Sequence, residues 1–240
     1  MAKKKETSTA MTVWEDELAA LAEKDIADMP PASETNTLSF AQGVFSLNGE
    51  ELDEDVIRCV ILDYRYENVY YDQPYDPDNL ITPVCYAIDT KPATMKPVVD
   101  APVCQNCAKC PYNQFGSADN GKGKKCRNVI RLALVSENSD DIITAKVSPT
   151  SSKKFLEYVR SVILSKKPLN AVITEISLVK DRKYQYKVIF REAGIIDKKR
   201  YEALRSRIDT EVKGILERVY TPTEEKETAP KKKAKGNKRF

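Results

Sequence analysis

A fold of mixed α+β class, mainly strands, is predicted by three observations. Five β-rich segments follow one another, a helix separates the third from the fourth, and an amphipathic helix follows the fifth. That order matches the OB-fold, an open five-stranded barrel that binds oligonucleotides. "VIRCVILDY" (56–64) is a buried strand by its run of β-branched residues, with Cys59 as a small core side chain. "NVIRLALVS" (128–136) and "IITAKVS" (142–148) form a hairpin across the turn "ENSDD". Ser148 is placed to cap a helix that starts at Pro149, where a missing N–H does no harm, and runs to about Leu164. Phe155, Val159 and Val162 share its apolar face. "NAVITEISLVK" (170–180) and "YQYKVIF" (184–190) alternate as two further strands.

The last helix is expected over 195–220. Asp197 is its N-cap, and Ile196 with Tyr201 is placed for a hydrophobic staple. Tyr201, Leu204, Ile208, Val212, Ile215 and Val219 follow at steps of three and four, which lays one apolar stripe along it.

The flanks are of different composition. Residues 1–35 are an arm holding a short acidic amphipathic helix, "WEDELAALAEKDIADM" (14–29), closed by Pro30 and Pro31. Residues 36–192 are the barrel-like core, interrupted between its first two strands by an insertion at about 65–127. That insertion opens with "RYENVYYDQPYDPDNLITPVCYAIDTKPATMKP", read as irregular because proline, aspartate and tyrosine dominate it. Residues 221–240 are a basic, low-complexity tail, read as disordered.

The 240 residues are 41% hydrophobic and 31% charged, a balance that folds rather than stays extended. The opening "MAKKKETSTA" lacks the apolar core of a secretory signal, and no apolar run is long enough for a membrane span. A cytoplasmic protein with reduced thiols is the expectation. The formal net charge of +3 hides an asymmetry: residues 1–100 carry 20 acids against 8 bases, and the rest is correspondingly basic. Such a division suits a surface that meets a polyanion, as well as plain solvation.

Four of the six cysteines lie in "CQNCAKCPYNQFGSADNGKGKKC": Cys104, Cys107, Cys110 and Cys126. Four thiolates in a reducing compartment read as metal ligands, and a closed four-sulfur shell is the structural zinc (Zn2+) pattern. The C-x2-C-x2-C spacing also opens ferredoxin-like iron–sulfur runs, whose fourth cysteine normally lies nearer, and unmetallated thiols are the third reading. The chain has no histidine, so an open catalytic zinc site and Ser/His or Cys/His catalysis are disfavoured. Cys85, in "PVCYAI", reads as a buried thiol and as a substitute ligand only second.

Between the last two cysteines and just past them, Lys122, Lys124, Lys125 and Arg127 face one acid, Asp119. Gly116, Gly121 and Gly123 let the backbone approach a ligand closely. A metal pinning both ends would hold this loop out as a phosphate-contacting finger; ordinary loop solvation is the plainer alternative. Seven of the twelve tyrosines fall between positions 64 and 112. Tyr70, Tyr71, Tyr112 and the nearby Phe115 are the candidates for stacking on bases.

The segments "VILDYRYENVYYDQPYD", "PVCYAIDTKP", "CQNCAKCPYNQFGSADNGKGKKC" and "KVSPTSSKKFLEYV" together resemble single-stranded DNA-binding proteins of tailed bacteriophages. The resemblance covers roughly residues 40–192, and its most specific part is "C-x2-C-P-x-N-x-F-G-S". It implies an OB-fold, a structural zinc and non-catalytic coating of exposed strands in phage DNA replication and recombination. It also implies contacts with replication or recombination proteins in the host cytoplasm. One feature departs from it: the acids of "EEKE" are followed by "KKKAKGNKRF", where that class ends in an acidic tail, although Phe240 remains a candidate docking residue.

Two other functions fit the same residues. One is a zinc-knuckle adaptor that docks proteins. The other is an iron–sulfur or metal-dependent nucleic-acid enzyme. Asp53, Glu54, Asp55, Asp63, Asp76 and Asp78 form no metal-binding motif known for such enzymes and read as loop and cap residues.

Overall fold

A single long strand organises the protein. The structure, a computed structural model, describes residues 36–40, 43–73, 82–181 and 185–220. The expected acidic helix at 14–29, the tail at 221–240 with Phe240, and Asp76 and Asp78 lie outside the described residues.

The strands are β1 (Asn36–Ser39), β2 (Ser46–Leu47), β3 (Glu50–Glu51), β4 (Val56–Tyr70), β5 (Cys85–Asp89), β6 (Arg127–Ser136), β7 (Ile142–Val147), β8 (Val172–Asp181) and β9 (Gln185–Ile195). Helix α1 (Pro149–Leu164) lies between β7 and β8, and α2 (Lys198–Ser206) follows β9. The strands form one curled, half-barrel sheet in the order β3-β2-β1-β7-β6-β4-β8-β9, with β5 added on β4. The fold is therefore mixed α+β with mostly strands. β1 runs parallel to β7, and its register pairs Leu38 with Ala145.

β4 was expected to end near Tyr64, but it continues to Tyr70, fifteen residues in all. The continuation has partners on both sides. β6 pairs with it from Cys59 to Val69. On its other side β8 pairs with the first part, Val56–Val60, and β5 with the last part, Tyr66–Tyr70. The tyrosine-rich stretch is thus part of the sheet, because backbone groups in the middle of a sheet are satisfied only by continued pairing.

A bulge in β4 decides what each residue faces. Ile61 pairs with Leu134 but Asp63 pairs with Ala133, leaving Leu62 as the extra residue. An extra residue reverses the inside–outside alternation. Cys59 and Ile61 before the bulge, and Tyr64 and Tyr66 after it, all pack on the face covered by α1. Phe155 of α1 is fully buried there, edge-on to Tyr64 at 5.3 Å and to Phe190 at 5.1 Å between ring centroids. The Tyr158 hydroxyl shares a 2.6 Å hydrogen bond with Thr174, and Ser151 Oγ accepts from Val188 N at 3.2 Å. Ser148 sits at the N-cap of α1 as expected, yet its side chain makes no capping bond; its carbonyl accepts from Ser151 and Ser152 instead.

The opposite face is covered by the C-terminal segment. Val60 and Leu62 pack there with Ile196, Leu204, Val212 and Leu216. Asp197 caps α2 by accepting from Arg200 N at 3.0 Å. The single long helix expected over 195–220 is broken: α2 ends at Ser206, a π turn spans Ile208–Val212, and a last α turn spans Lys213–Leu216. Glu211 N and Val212 N both donate to the Arg207 carbonyl at 3.0 Å, which accommodates the extra residue. The wide turn keeps Val212 and Leu216 on the sheet, and it leaves Val219, expected on the apolar stripe, 48% exposed.

The same reversal at Leu62 sends Arg65 and Glu67 to this second face, where charge meets charge. Glu67 is fully buried and receives Arg131 Nη2 at 2.8 Å, with the Tyr220 hydroxyl also donating to it. Lys146 Nζ donates to Glu67 Oε1 at 3.4 Å and stands 3.3 Å from Oε2, which has no hydrogen-bond donor of its own. Arg131 also donates to the carbonyls of Leu216 and Arg218, at 3.3 and 2.8 Å. Arg65 bridges Asp63 at 2.5 Å and Glu217 at 3.1 Å. These bonds fasten the C-terminal segment to the sheet.

Burial alone would raise the Glu67 carboxyl, but Arg131, Lys146 and Tyr220 outweigh it and hold it below the usual carboxylate range. Its stabilisation is therefore complete above the ordinary carboxylate pKa and disappears as pH falls through the lowered value. Glu67→Gln leaves Arg131 uncompensated and is expected to cost about 3 kcal/mol at pH 7 by urea unfolding. The gap between wild type and variant narrows as the unfolding series is taken to progressively lower pH; an equal gap at every pH contradicts this account.

Candidate functional site

The cysteine-rich segment closes onto the end of β4 that carries Asn68 and Tyr70. These two side chains point to the α1 side of the sheet, beyond the reach of α1 itself. Asn68, Tyr70, Tyr112 and all five cysteines outside the core (Cys85, Cys104, Cys107, Cys110 and Cys126) line one small cavity. All five are free thiols, as is Cys59, which sits apart in the core as the sequence indicated.

Local hydrogen bonds build this segment. Cys107 N donates to Met95 O at 3.3 Å and Cys110 N to Cys107 O at 3.4 Å, a tight turn that buries both cysteines. A 3-10 turn, Pro111–Asn113, follows. Asn113 Nδ2 returns to the Cys107 carbonyl at 2.7 Å. Cys126 N donates to Tyr112 O at 2.9 Å, which brings the far end of the loop back to its start. Ser117 Oγ donates toward Tyr112 O at 2.9 Å and accepts from Lys125 N at 3.0 Å. Gly116 and Gly123 have φ of +89° and +91°, the left-handed region that a side chain disfavours, and Gly116 N bonds Gly123 O at 2.7 Å across the loop neck.

A cluster of amides unforeseen in the sequence lies under the loop. Asn128 Nδ2 donates to Asn68 Oδ1, its cross-strand neighbour, and to Asn113 Oδ1 at 3.0 Å. Lys124 Nζ donates to Asn128 Oδ1 at 2.8 Å and Asn113 Oδ1 at 3.1 Å. The sequence carried no signal for it, because Asn68 falls in the stretch read as irregular and its pairing with Asn128 is a matter of sheet register.

The candidate binding residues fall into two places. Tyr70 and Tyr112 are neighbours, with ring centroids 4.8 Å apart and planes at 59°. Lys125 Nζ lies 5.4 Å from the Tyr112 ring and Lys124 Nζ 5.2 Å from the Phe115 ring. Phe115 itself is 85% exposed. Lys122 is exposed in the loop; Arg127 is exposed too, but as the register partner of Val69 it points to the face opposite Tyr70. Lys125 is not a bare cation, because Asp119 pairs with it at 2.7 Å. Tyr71 is separated from this group: it belongs to the opposite face, beside Tyr220, Lys146 and Glu67. Neighbouring residues of a strand point to opposite sides, so Tyr70 and Tyr71 cannot share one surface.

Burial raises the Cys107 thiol, with Cys85, Cys110 and Cys104 adding to the rise and a hydrogen bond from Asn68 opposing it. Burial pushes the Cys126 thiol up to about 12, with Cys107, Cys110 and Cys85 contributing. Among the described residues no group of three or more His, Cys, Asp or Glu side chains stands close enough to hold a metal ion as it is. In kind, the donors suit a soft or borderline cation: all are sulfur, they share one cavity, and no carboxylate lines it. Holding an ion requires the sulfurs to draw together.

Among the described residues no helix is long and apolar enough to cross a membrane. No protein-family model, no curated protein and no solved structure matches the chain.

The exposure of Phe115 sets an expectation for the folded state. Phe115→Ala removes a ring that covers almost nothing, so stability is expected to change by no more than about 0.5 kcal/mol, read from thermal melts. Asn128→Ala strips partners from Asn68, Asn113 and Lys124 at once and is expected to cost about 2 kcal/mol. A larger loss for Phe115→Ala than for Asn128→Ala overturns this ordering.

Proposed function

We propose that this chain binds single-stranded DNA without reading its sequence, and that its role is to coat exposed strands rather than to catalyse a reaction. The observation that carries the reading is the exposed Phe115 ring, with the Lys124 ammonium beside it and the Tyr70–Tyr112–Lys125 group on the same loop base. Unpaired bases stack on such rings at about 1–3 kcal/mol each, and adjacent cations neutralise the phosphates between them. Lys122, exposed in the same loop, adds a cation.

The OB-like reading of the core rests on the helix between β7 and β8 and on the central place of β4 between β6 and β8. In that reading β1 occupies the free edge of β7, where a closed barrel would continue. The resemblance to phage single-stranded DNA-binding proteins supplies the context of replication and recombination.

The cofactor of this reading is zinc, held by thiols of the cavity under the loop. Bound there, the ion would supply a structural cross-link and take no part in chemistry. Asn113 and Cys126, whose backbone and side-chain bonds join the loop to that cavity, would transmit the cross-link to the binding residues.

Fluorescence anisotropy with oligo-dT and with a duplex of equal length tests the proposal. Single strands are expected to bind the tighter of the two, with affinity falling steeply as salt rises. Phe115→Ala is expected to weaken oligo-dT binding by about tenfold, within the range for one stacked base. The triple change Lys122→Glu, Lys124→Glu, Lys125→Glu is expected to weaken it further. Equal affinity for duplex and single strand rejects the proposal, and unchanged binding by the triple variant points to a loop that serves protein partners.

A further inference from the structure

Five thiols line the cavity, whereas a closed zinc–thiolate site takes four. Resting on the zinc reading above, we propose that the four ligands are Cys85, Cys107, Cys110 and Cys126, and that Cys104, the first cysteine of the sequence cluster, stays outside the shell.

The sheet register brings two of the four to one place. Cys85 is the direct cross-strand partner of Tyr70 on β5. On the other side of β4 the pairing runs to Val69↔Arg127, so Cys126, one residue further, reaches the same Tyr70 level. The side chain of Tyr70 between them faces the cavity. Cys107 and Cys110 come from the tight turn above, which is bonded to the framework at Met95 O and at Asn113. Both are more than nine-tenths buried, at 7% and 8% exposure. A C-x2-C turn of this kind presents two sulfurs to one ion.

Cys104 is held differently. It is partly buried, as Cys85 and Cys126 are, but its Sγ donates to the carbonyl of Asn106 in its own loop at 3.5 Å. It precedes the Cys107 turn and takes no part in the bonds that tie that turn to Met95 and Asn113. Sequence spacing favours Cys104, since three cysteines at equal intervals read as one cluster. The sheet favours Cys85, which is distant in sequence and adjacent across a strand.

Thiol mapping on the wild-type full chain tests the assignment without requiring any variant to fold. The protein is loaded with zinc under reducing conditions, excess metal is removed, and zinc per chain is counted; about one equivalent is expected. The native holoprotein is then treated with N-ethylmaleimide and mapped by mass spectrometry. Cys104 is expected to be labelled, while Cys85, Cys107, Cys110 and Cys126 are protected until a chelator is added. Cys59, buried in the core, stays protected in both samples until unfolding. Labelling of Cys85 as fast as Cys104 in the zinc-loaded protein overturns the assignment while leaving the zinc reading intact. A chain that retains no zinc overturns both. As a second arm, Cys104→Ser is expected to retain its zinc and Cys85→Ser to lose it; the reverse pattern overturns the proposal.

Discussion

The reversal of side-chain alternation at Leu62 is the constraint on which the rest of the structure depends. β4 is the only strand that touches β5, β6 and β8 among the described residues, so its facing decides what the sheet buries on each side. A regular strand would carry the odd-numbered residues of its first half onto the α1 face along its whole length. Arg65 and Glu67 would then point into the aromatic core around Phe155. One inserted residue sends them to the other side and gives their places to Tyr64 and Tyr66. Tyr66 in turn packs on the small cluster of Ala87, Met95 and Cys107, so the reversal also sets the floor of the cysteine cavity.

Each face then solves a different problem. On the α1 side the tyrosines supply area with edge-on ring contacts, and their hydroxyls are short distances from polar partners such as Thr174. On the opposite side a fully buried carboxylate would be costly alone. Two cations and a phenol hold it ionised, and the same arginine bonds to the carbonyls of the C-terminal segment. The ion pair therefore fixes where the chain lies after Leu216. Glu217, just past the last α turn, pairs with Arg65 on the same face.

The loop over the cysteine cavity is shaped by hydrogen bonds rather than by apolar burial. Lys124 is held by two amides, Lys125 by Asp119, and the neck by a pair of left-handed glycines. In the binding role proposed above, such a loop would have little left to order, which would lower the entropic cost of association. Fewer of its cations are unpartnered than the sequence implied, because Lys124 already bonds two amides and Lys125 pairs with Asp119.

What the sequence determined by itself is the set of local preferences. Strand and helix positions in the second half are close to those the alternation, the Pro149 start and the Asp197 cap imply, because these signals act over a few residues. The thiol-rich character of the site, and its lysines and rings, were equally legible from composition. What only the tertiary structure decided is partnership across the sheet. That Tyr64–Tyr70 continues a strand, that Tyr71 parts from Tyr70, that Asn68 meets Asn128 and that Cys85 reaches the cavity all follow from pairing with β5 and β6. Those contacts join residues tens of positions apart, and neither spacing nor propensity encodes a register that one bulge can invert.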